Sequence, residues 1–139
     1  MAECVFCRIA AGTLPASVVH RDGDVVAFMD IAPIRPGHVL VASAAHVENL
    51  YGLDPALAGA LFRTTARVAT AIKRALGADG VTVLQANERA GGQVVMHIHL
   101  HVIPRRAGDG LGFSWPATQP PRAELDRLAA VIRGGLAGA

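Results

Sequence analysis

Apolar residues recur along the middle of the chain with a spacing close to that of an α-helix. After Asp54-Pro55 the spacing is four, seven, four and four residues, through Leu57, Leu61, Val68, Ile72 and Leu76. Such a pattern places one apolar face on a helix, with Asp54 as the N-cap and Pro55 as the first residue. Gly77 and Gly80 are expected to end it. A second helix is predicted over 122–136, with Leu125, Leu128 and Ile132 on one face.

Shorter apolar runs, separated by turn residues, predict strands. Runs over 18–20 and 25–29 flank Arg21-Asp22-Gly23-Asp24, which is a hairpin signal. Further strands are predicted over 38–42, 81–86 and 94–103, with Pro104 stopping the last. Residues 4–11 form a short helix or a loop that breaks at Gly12, and the Gly- and Pro-rich segment 106–121 is expected to be irregular. Neighbouring strands with short links favour an α+β fold, an antiparallel sheet of about five strands with helices packed on one side.

Composition sets the class of protein. The chain has 139 residues, 52% hydrophobic and 17% charged, so we expect one globular domain over 1–139, with a core at about 3–106 and a variable segment over 107–139. The net charge of +2 without any run of like charges argues against a nucleic-acid partner. No apolar stretch reaches the roughly 18–20 residues of a membrane span, and the N-terminus lacks the layout of a secretory signal. We therefore expect a cytoplasmic protein without a membrane partner.

The candidate chemistry lies in the run His97-Ile98-His99-Leu100-His101, which holds half of the six histidines of the chain. On a strand, the three imidazoles would share one face and the apolar residues would point to a core. Residues four apart on a strand are about 13 Å apart, so His97 and His101 cannot both ligate one metal ion. A row of this length suits an extended anionic group, or separate tasks for different histidines.

Three interpretations of this run are open. The histidines could be polar residues on a solvated strand, or an adjacent pair could join a third ligand in a zinc hydrolase. We favour nucleophilic or acid–base use, because a neutral imidazole is a competent nucleophile for phosphorus and titrates near pH 7. Cys4 and Cys7 have the spacing of a metal pair, and a tetrahedral zinc site would need two further histidine ligands. Two core thiols or a redox pair are the alternatives.

Several motifs together resemble the histidine-triad (HIT) nucleotide-binding family, most closely its bacterial zinc-bearing members. The triad pattern is His, apolar, His, apolar, His and two apolar residues, as in 97–103. The other matching motifs, in the order of the family, are Cys4-Val-Phe-Cys7-Arg-Ile-Ala, Phe28-Met-Asp30-Ile31-Ala-Pro33, Pro36-Gly37-His38-Val-Leu-Val, Asn87-Glu88 and Gly91-Gly92-Gln93. The resemblance covers nearly the whole chain up to Arg106.

The resemblance implies a role for each matching residue. His99 would attack the α-phosphorus and carry a nucleotidyl intermediate, while His101 and His38 contact the phosphate or the leaving group. The carbonyl of His97 would fix the tautomer of His99, and Asp30 would accept hydrogen bonds from the ribose. The residues expected to bind the nucleotide are Phe28, Asp30, Ile31, His38, Asn87, Gly92, Gln93, Val94, Val95, His99 and His101. A structural zinc, not needed for the chemistry, is expected on Cys4, Cys7, His46 and His97.

The function that the resemblance implies is a nucleotidyl hydrolase or transferase that releases a nucleoside monophosphate. Its substrates would be phosphoramidates, dinucleoside polyphosphates or aminoacyl adenylates, its ligand a purine nucleoside monophosphate or related nucleotide, and its assembly a homodimer that joins two sheets. One departure is Val94, where many members carry a hydroxyl residue, which puts a preference for phosphoramidates in doubt. We expect 106–121, with Phe113 and Trp115, to influence the choice of leaving group. The alternative is a nucleotide-binding regulatory module with little turnover.

Overall fold

Five strands form one antiparallel sheet in the computed structural model, which describes residues 4–112 and 114–139. Along the chain the elements are α1 (Val5–Ala11), β1 (Val18–Arg21), β2 (Val25–Met29), β3 (Val39–Ser43), α2 (Pro55–Ala75), β4 (Gly80–Leu84), β5 (His99–Arg105) and α3 (Arg122–Ala137). In space the strand order is β1-β2-β3-β5-β4, so β5 is inserted between β3 and β4. Short 3-10 turns cover Leu50–Gly52 and Arg89–Gly91. The expected α+β architecture is confirmed.

Helix α2 begins where the sequence predicts. The Asp54 carboxylate accepts hydrogen bonds from the N–H groups of Ala56 and Leu57 at 2.9 and 3.3 Å, which satisfies two donors of the first turn. Beyond the last turn, Gly77 takes a φ of +59°, a conformation that favours glycine. The predicted face packs on the sheet through Leu61, Val68 and Ile72. Leu76, predicted as its last member, is 46% exposed instead.

The sheet is covered on both faces. Alternate residues of β2 and β3 pack in two different clusters, because successive side chains of a strand point to opposite sides. On one side Val25, Val41 and Leu100 pack with α2. On the other side Phe28 and Leu40 pack with Phe6 and Ile9 of α1. The expectation that the helices lie on one side of the sheet is therefore wrong for α1. The unbroken apolar run of β2 is typical of a strand that is buried on both faces.

Strand β5 begins five residues later than predicted and continues through Pro104. Residues 94–98 are mostly apolar, as in a strand, but the N–H of His97 donates to the Val95 carbonyl and that of Ile98 to the Val47 carbonyl. These bonds take the place of hydrogen bonds to a neighbouring strand, so His97 lies before the start of β5. The carbonyl of Arg105 accepts from the N–H of Asp79 on the β4 side. Because the backbone groups of successive strand residues point to opposite sides, the nitrogen of Pro104 faces the β3 side. There it lies beyond Val102, the last residue of β5 that pairs with β3. Its missing N–H therefore costs no ladder bond.

The chain falls into two compact units, Met1–Asp109 and Gly110–Ala139. In the second unit α3 has the predicted bounds to within one residue, and Leu125, Leu128 and Ile132 are 42, 42 and 63% exposed. Residues 110–112 and 114–121 hold no helix or strand, and Phe113 lies outside the described residues. Whether 1–139 acts as one domain stays a prediction. Within 4–112 and 114–139, no helix is both long and apolar enough to cross a membrane.

Candidate functional site

The middle histidine of the run is held in one tautomer by the backbone. The Nδ1 atom of His99 lies 2.6 Å from the carbonyl oxygen of His97, and a carbonyl can only accept. Nδ1 therefore carries the hydrogen, and the lone pair of a neutral ring lies on Nε2. Burial lowers the pKa of His99 below its usual value, which favours this neutral form. The neutral ring thus holds, in a defined orientation, the lone pair that a nucleophile requires.

Phe6 of α1 packs against two of the histidine rings. Its ring centroid lies 5.0 Å from that of His99 and 5.8 Å from that of His97, both edge-on. The same ring contacts Phe28 at 5.2 Å. Phe6 is 6% exposed, so it fills the space behind the rings. Sequence reasoning assigned it no role, although its place between Cys4 and Cys7 fixes it at the site.

Two cysteines and two histidines form a candidate metal site. The metal-binding atoms of Cys4, Cys7, His46 and His97 all lie within 4.8 Å of one another. Sulfur and nitrogen are 3.3 Å apart for Cys4 and His97, 3.3 Å for Cys7 and His46, and 3.5 Å for Cys7 and His97. Tetrahedral zinc with bonds of about 2.3 Å to sulfur and 2.0–2.1 Å to nitrogen sets these separations at about 3.5 Å. The four predicted residues therefore fit the ion.

The second nitrogen of His97 is positioned as in a metal ligand. Its Nε2 lies 2.8 Å from the carbonyl oxygen of Ser43 and donates to it, which leaves Nδ1 bare toward Cys4 and Cys7. A ligating histidine commonly donates its other N–H to a carbonyl in this way. Ser43 and His97 are completely buried. Burial, with the neighbouring Cys4, raises the pKa of Cys7, so a metal ion would have to displace a thiol proton.

A second group of possible ligands, Asp30, His38 and His101, is connected differently. The backbone N–H of Ile34 donates to His38 Nδ1 at 3.1 Å, so the hydrogen of the neutral His38 ring lies on Nε2. That atom is 2.9 Å from His101 Nδ1 and 3.6 Å from the Asp30 carboxylate. A metal ion on His38 Nε2 would require a ring without any hydrogen. The cluster is therefore a hydrogen-bond chain. Among the residues that the structure describes, no candidate metal group contains two adjacent histidines of the run, which is the pair that the zinc-hydrolase interpretation requires.

The same chain fixes the hydrogen of His101. Because His38 Nε2 donates, His101 Nδ1 accepts, and the hydrogen of the neutral His101 ring lies on Nε2. The rings of His99 and His101 lie 5.0 Å apart. Burial, together with His99 and His38, lowers the pKa of His101 to about 4, while nearby Asp30 acts in the opposite direction. Burial also lowers the pKa of His38. The site therefore presents one bare nitrogen on His99 beside one N–H on His101.

The residues expected to hold the nucleoside differ in exposure. Ile31 is 99% exposed and Asp30 lies beside the His38 ring, with one carboxylate oxygen accepting from the N–H of Ala32 at 2.8 Å. Phe28 is 3% exposed and packs in the core with Phe6. The roles of Phe28, Asp30 and Ile31 in nucleotide binding stay predictions.

The loop before the triad is held by the side chain of Gln93. The Gln93 amide accepts from the N–H of Glu88 at 2.8 Å and donates to the carbonyls of Glu48 and Val95, and the residue is 3% exposed. The side-chain amide therefore organises the loop, and the expected contact of Gln93 with the nucleotide stays a prediction. Glu88 has a φ of +63°, which is strained for a side-chain-bearing residue and persists where its neighbours fix it.

The other loop residues are divided between structure and surface. The Asn87 side chain bonds the N–H of Leu50 and the amide of Gln85, so it also braces the loop. Val95 packs against the α1 core, while Val94 is 82% exposed. Gly92 has a φ of +96°, and its exposed backbone is the part of the loop best suited to approach an anion.

Comparisons with known proteins agree with this geometry. The HIT domain family matches residues 11–108. The protein hit of Bacillus subtilis is 40% identical over 81% of this chain and 79% of its own length. An adenosine 5′-monophosphoramidase of Schizosaccharomyces pombe is 33% identical over 94% of this chain and 96% of its own length. An adenylylsulfatase of Arabidopsis thaliana is 33% identical over 78% of this chain and 55% of its own length.

Solved structures show the same fold. A protein of Streptococcus mutans superposes with a TM-score of 0.92 at 37% identity, over 98% of this chain and 87% of its own. A zinc-bound histidine triad family protein of Mycobacterium smegmatis superposes with a TM-score of 0.76 at 36% identity, over 97% of each chain. With the triad, the sheet and the family match in agreement, this chain belongs to the histidine-triad (HIT) family.

Proposed function

We propose that this protein is a nucleotidyl hydrolase or transferase that acts at the α-phosphorus of a nucleoside phosphate through His99. The observation that carries the proposal is the His99 ring, whose Nδ1 donates to the His97 carbonyl at 2.6 Å and whose Nε2 is thereby left as a bare nucleophile. Membership of a family whose relatives include a named adenylylsulfatase and a named monophosphoramidase supports nucleotide hydrolysis in general.

The proposed reaction has two displacements. His99 Nε2 forms a bond to the α-phosphorus while the bond to the leaving group breaks and its electron pair leaves with that group. Water then attacks the nucleotidyl-histidine, the phosphorus–nitrogen bond breaks, and a nucleoside monophosphate is released. The His97 carbonyl stabilises the positive charge on the ring of the intermediate, and the His101 N–H donates to phosphoryl oxygens or to the departing atom.

The ligand we propose is a purine nucleoside monophosphate or a related nucleotide. Asp30 accepts hydrogen bonds from the ribose, Ile31 contacts the nucleoside, and the backbone at Gly92 approaches the phosphate. The candidate leaving groups fall into two chemical classes. Amines leave from phosphoramidates, whereas anions leave from dinucleoside polyphosphates, aminoacyl adenylates and adenylyl sulfate.

We also propose that the protein holds one zinc ion on Cys4, Cys7, His46 and His97. The support is the set of sulfur–nitrogen distances of 3.3–3.5 Å, the hydrogen bond from His97 to Ser43, and the zinc-bound relative of similar fold. Such an ion would tie α1 to the segment that precedes β5. Its contribution is to the fold and to the position of the His97 carbonyl, and no chemical step passes through it.

A homodimer in the cytoplasm completes the proposal. β1 and β4 are the outer strands of the sheet, so each has an edge at which a second copy can pair. Light scattering at micromolar concentration tests the dimer, and twice the chain mass is the expected result. The chain mass alone would exclude a stable dimer.

Single-turnover kinetics of His99→Ala test the function. The variant should bind adenosine monophosphate within about threefold of the wild type, yet hydrolyse adenosine phosphates at least about 10³-fold more slowly, because the nucleophile is gone. His20→Ala is the matched control, since His20 lies on β1 and pairs with Asp22. Equal slow hydrolysis by wild type and His99→Ala would instead establish a binding module with little turnover.

A further inference from the structure

The two thiols of the candidate metal site lie close enough to react with each other. Cys4 and Cys7 are both free, and their sulfur atoms lie within 4.8 Å of one another. Cys4 directly precedes α1 and Cys7 lies in its first turn, so both belong to one short stretch of backbone. A disulfide, with a sulfur–sulfur bond of about 2.05 Å, is therefore within reach of a local movement that leaves the sheet in place.

The metal site is open to solvent on one side. His46 is exposed and both cysteines are half-buried, whereas His97 is completely buried behind them. A small oxidant can therefore approach the sulfur atoms from the side of His46. Cysteine ligands of zinc are thiolates, and the thiolate is the form of cysteine that reacts with an oxidant.

His97 connects this site to the proposed nucleophile. Its ring faces the two thiols, and its carbonyl oxygen accepts from His99 Nδ1 at 2.6 Å. Phe6, which lies between the two cysteines in the chain, packs edge-on against the rings of both histidines at 5.8 and 5.0 Å. A change at the sulfur atoms therefore reaches His99 by two short paths, through the His97 backbone and through α1.

We propose that Cys4 and Cys7 form a reversible redox switch: a peroxide converts them into a disulfide, the zinc ion leaves, and hydrolysis at His99 slows until a thiol reductant and zinc restore the site. The inference rests on the proposed function and its zinc ion, and adds a means of regulation to the same site. After oxidation only His46 and His97 remain as ligands, and two imidazoles do not complete the tetrahedral set that zinc requires.

One peroxide molecule oxidises one pair of thiolates. The first thiolate attacks a peroxide oxygen, the oxygen–oxygen bond breaks, and a sulfenic acid and hydroxide form. The second thiolate attacks the sulfenic sulfur, the disulfide forms, and the oxygen leaves as hydroxide. Each sulfur thus loses one electron, the peroxide gains two, and two protons from solvent convert the hydroxides to water. Two thiols of a reductant reverse the step by exchange and leave as their own disulfide.

Zinc release and chain mass, measured on one sample, test the thiol chemistry. The zinc-loaded protein is treated with a small excess of hydrogen peroxide beside a chromophoric chelator, with a sample without peroxide as the blank. About one zinc ion per chain should pass to the chelator as the chain loses the mass of two hydrogen atoms, and dithiothreitol with added zinc should reverse both changes. Zinc that stays on a disulfide-containing chain, or cysteines that gain oxygen or do not react, overturns the proposal.

Two variants separate the cysteines from other oxidisable side chains. Met96→Leu keeps both cysteines and removes the sulfur that lies next to His97 in the chain, so it should respond to peroxide as the wild type does. Cys4→Ser combined with Cys7→Ser hydrolyses slowly from the start, and peroxide should not slow it further. Peroxide sensitivity that disappears in Met96→Leu, or persists in the cysteine variant, assigns the effect to another group and overturns the switch.

The link to His99 is measured in two ways. In the oxidised protein, kcat/KM for adenosine 5′-phosphoramidate should fall about tenfold, less than on removal of His99, because the Ser43 carbonyl still holds the second nitrogen of His97. In two-bond hydrogen–nitrogen spectra of the nitrogen-15-labelled protein, His97 Nδ1 should change from metal-bound to bare, and the signals of His99 should shift with it. Unchanged hydrolysis and unchanged His99 signals after zinc release overturn the regulation.

The outcomes distinguish the switch from the function it rests on. If the reduced, zinc-loaded protein hydrolyses no adenosine phosphate, the proposed function has failed, while zinc release, chain mass and the His99 signals still establish or refute the switch. If the reduced protein takes up no zinc, the proposed metal site has failed and the switch fails with it, whatever the rate of hydrolysis.

Discussion

Two histidine clusters lie on the same face of the sheet and differ in what occupies the far side of each ring. His97 donates its second N–H to the Ser43 carbonyl, which leaves the other nitrogen bare beside two thiols. His38 instead accepts from the Ile34 N–H, which places its hydrogen on the nitrogen that faces Asp30 and His101. Both clusters have enough ligand atoms within 4.8 Å to hold a metal ion.

The comparison shows that the backbone partner of a histidine determines which ring nitrogen carries the hydrogen. A carbonyl behind the ring leaves the facing nitrogen bare, as the proposed ligand His97 and the proposed nucleophile His99 require. An N–H behind the ring makes the facing nitrogen a donor, as at His38, which lies at the ordinary hydrogen-bond distance of 2.9 Å from His101. Proximity alone does not separate the two cases.

The largest expected effect follows from removing the two cysteines of the candidate metal site. Cys4→Ser combined with Cys7→Ser should lower bound zinc from about one ion per chain to less than about 0.2, since two of four ligands are lost. With free zinc at a thousandfold excess over the wild-type Kd, the lost free energy of unfolding is about 4 kcal/mol. Elemental analysis and denaturant unfolding measure both quantities.

Chelated wild type is the control for the cysteine variant, and the two should unfold alike. Hydrolysis should also fall in both, because the His97 ring and the His97 carbonyl belong to one residue. Retention of a full zinc equivalent by the double variant would mean that the ion lies elsewhere.

A smaller effect is expected from a change in the cluster of Asp30, His38 and His101. His38→Asn keeps an oxygen that can accept from the Ile34 N–H, but its shorter side chain withdraws the donor from His101. kcat/KM should therefore fall about 100-fold while the zinc content stays at about one. Elemental analysis and steady-state kinetics on the same preparation provide the measurement. His46→Asn is the matched variant, which should lose zinc. Zinc loss in His38→Asn would show that the two clusters are not separate.

The smallest effect is expected on zinc affinity, and it distinguishes the hydroxyl of Ser43 from its backbone carbonyl as the partner of His97. Ser43→Ala removes the hydroxyl, which lies 3.2 Å from His97 Nε2, but retains the carbonyl at 2.8 Å. Zinc affinity should therefore fall by less than about tenfold, below the 10–100-fold typical when a ligand loses its outer partner. Competition with a chromophoric chelator measures it. A hundredfold loss would assign the orientation of His97 to the hydroxyl and weaken the rule drawn from the carbonyl.

Periodicity and capping made much of the fold predictable. Asp54 and the spacing of apolar residues determine α2, and the alternation around the triad places Ile98, Leu100 and Val102 in the α2 core. The start of β5 was not predictable, because residues 94–98 are as apolar as a strand while the N–H groups of His97 and Ile98 bond outside the sheet. The exposure of Leu76 depends on where α2 ends, and the spacing of apolar residues along the chain does not predict that end.

The candidate site was predictable as a set of residues but not as a set of partners. The motifs identified Cys4, Cys7, His46 and His97 together, and the structure brings them together. They could not show that the Gln93 amide bonds the loop or that Phe28 packs against Phe6. The Ile34 N–H has no sequence signal, because every residue except proline carries the same group.

The buried ring of His97 has a consequence for folding. β5 presents His99 and His101 on one face and Leu100 on the other, paired with Ala42, Leu40 and Val41 of β3. A slip of one residue would exchange the proposed nucleophile His99 for a leucine. His97 lies between Ser43 and the two thiols in the observed strand pairing. A chain that closes its cysteine–histidine cluster therefore selects, by the same event, the pairing in which His99 and His101 share one face.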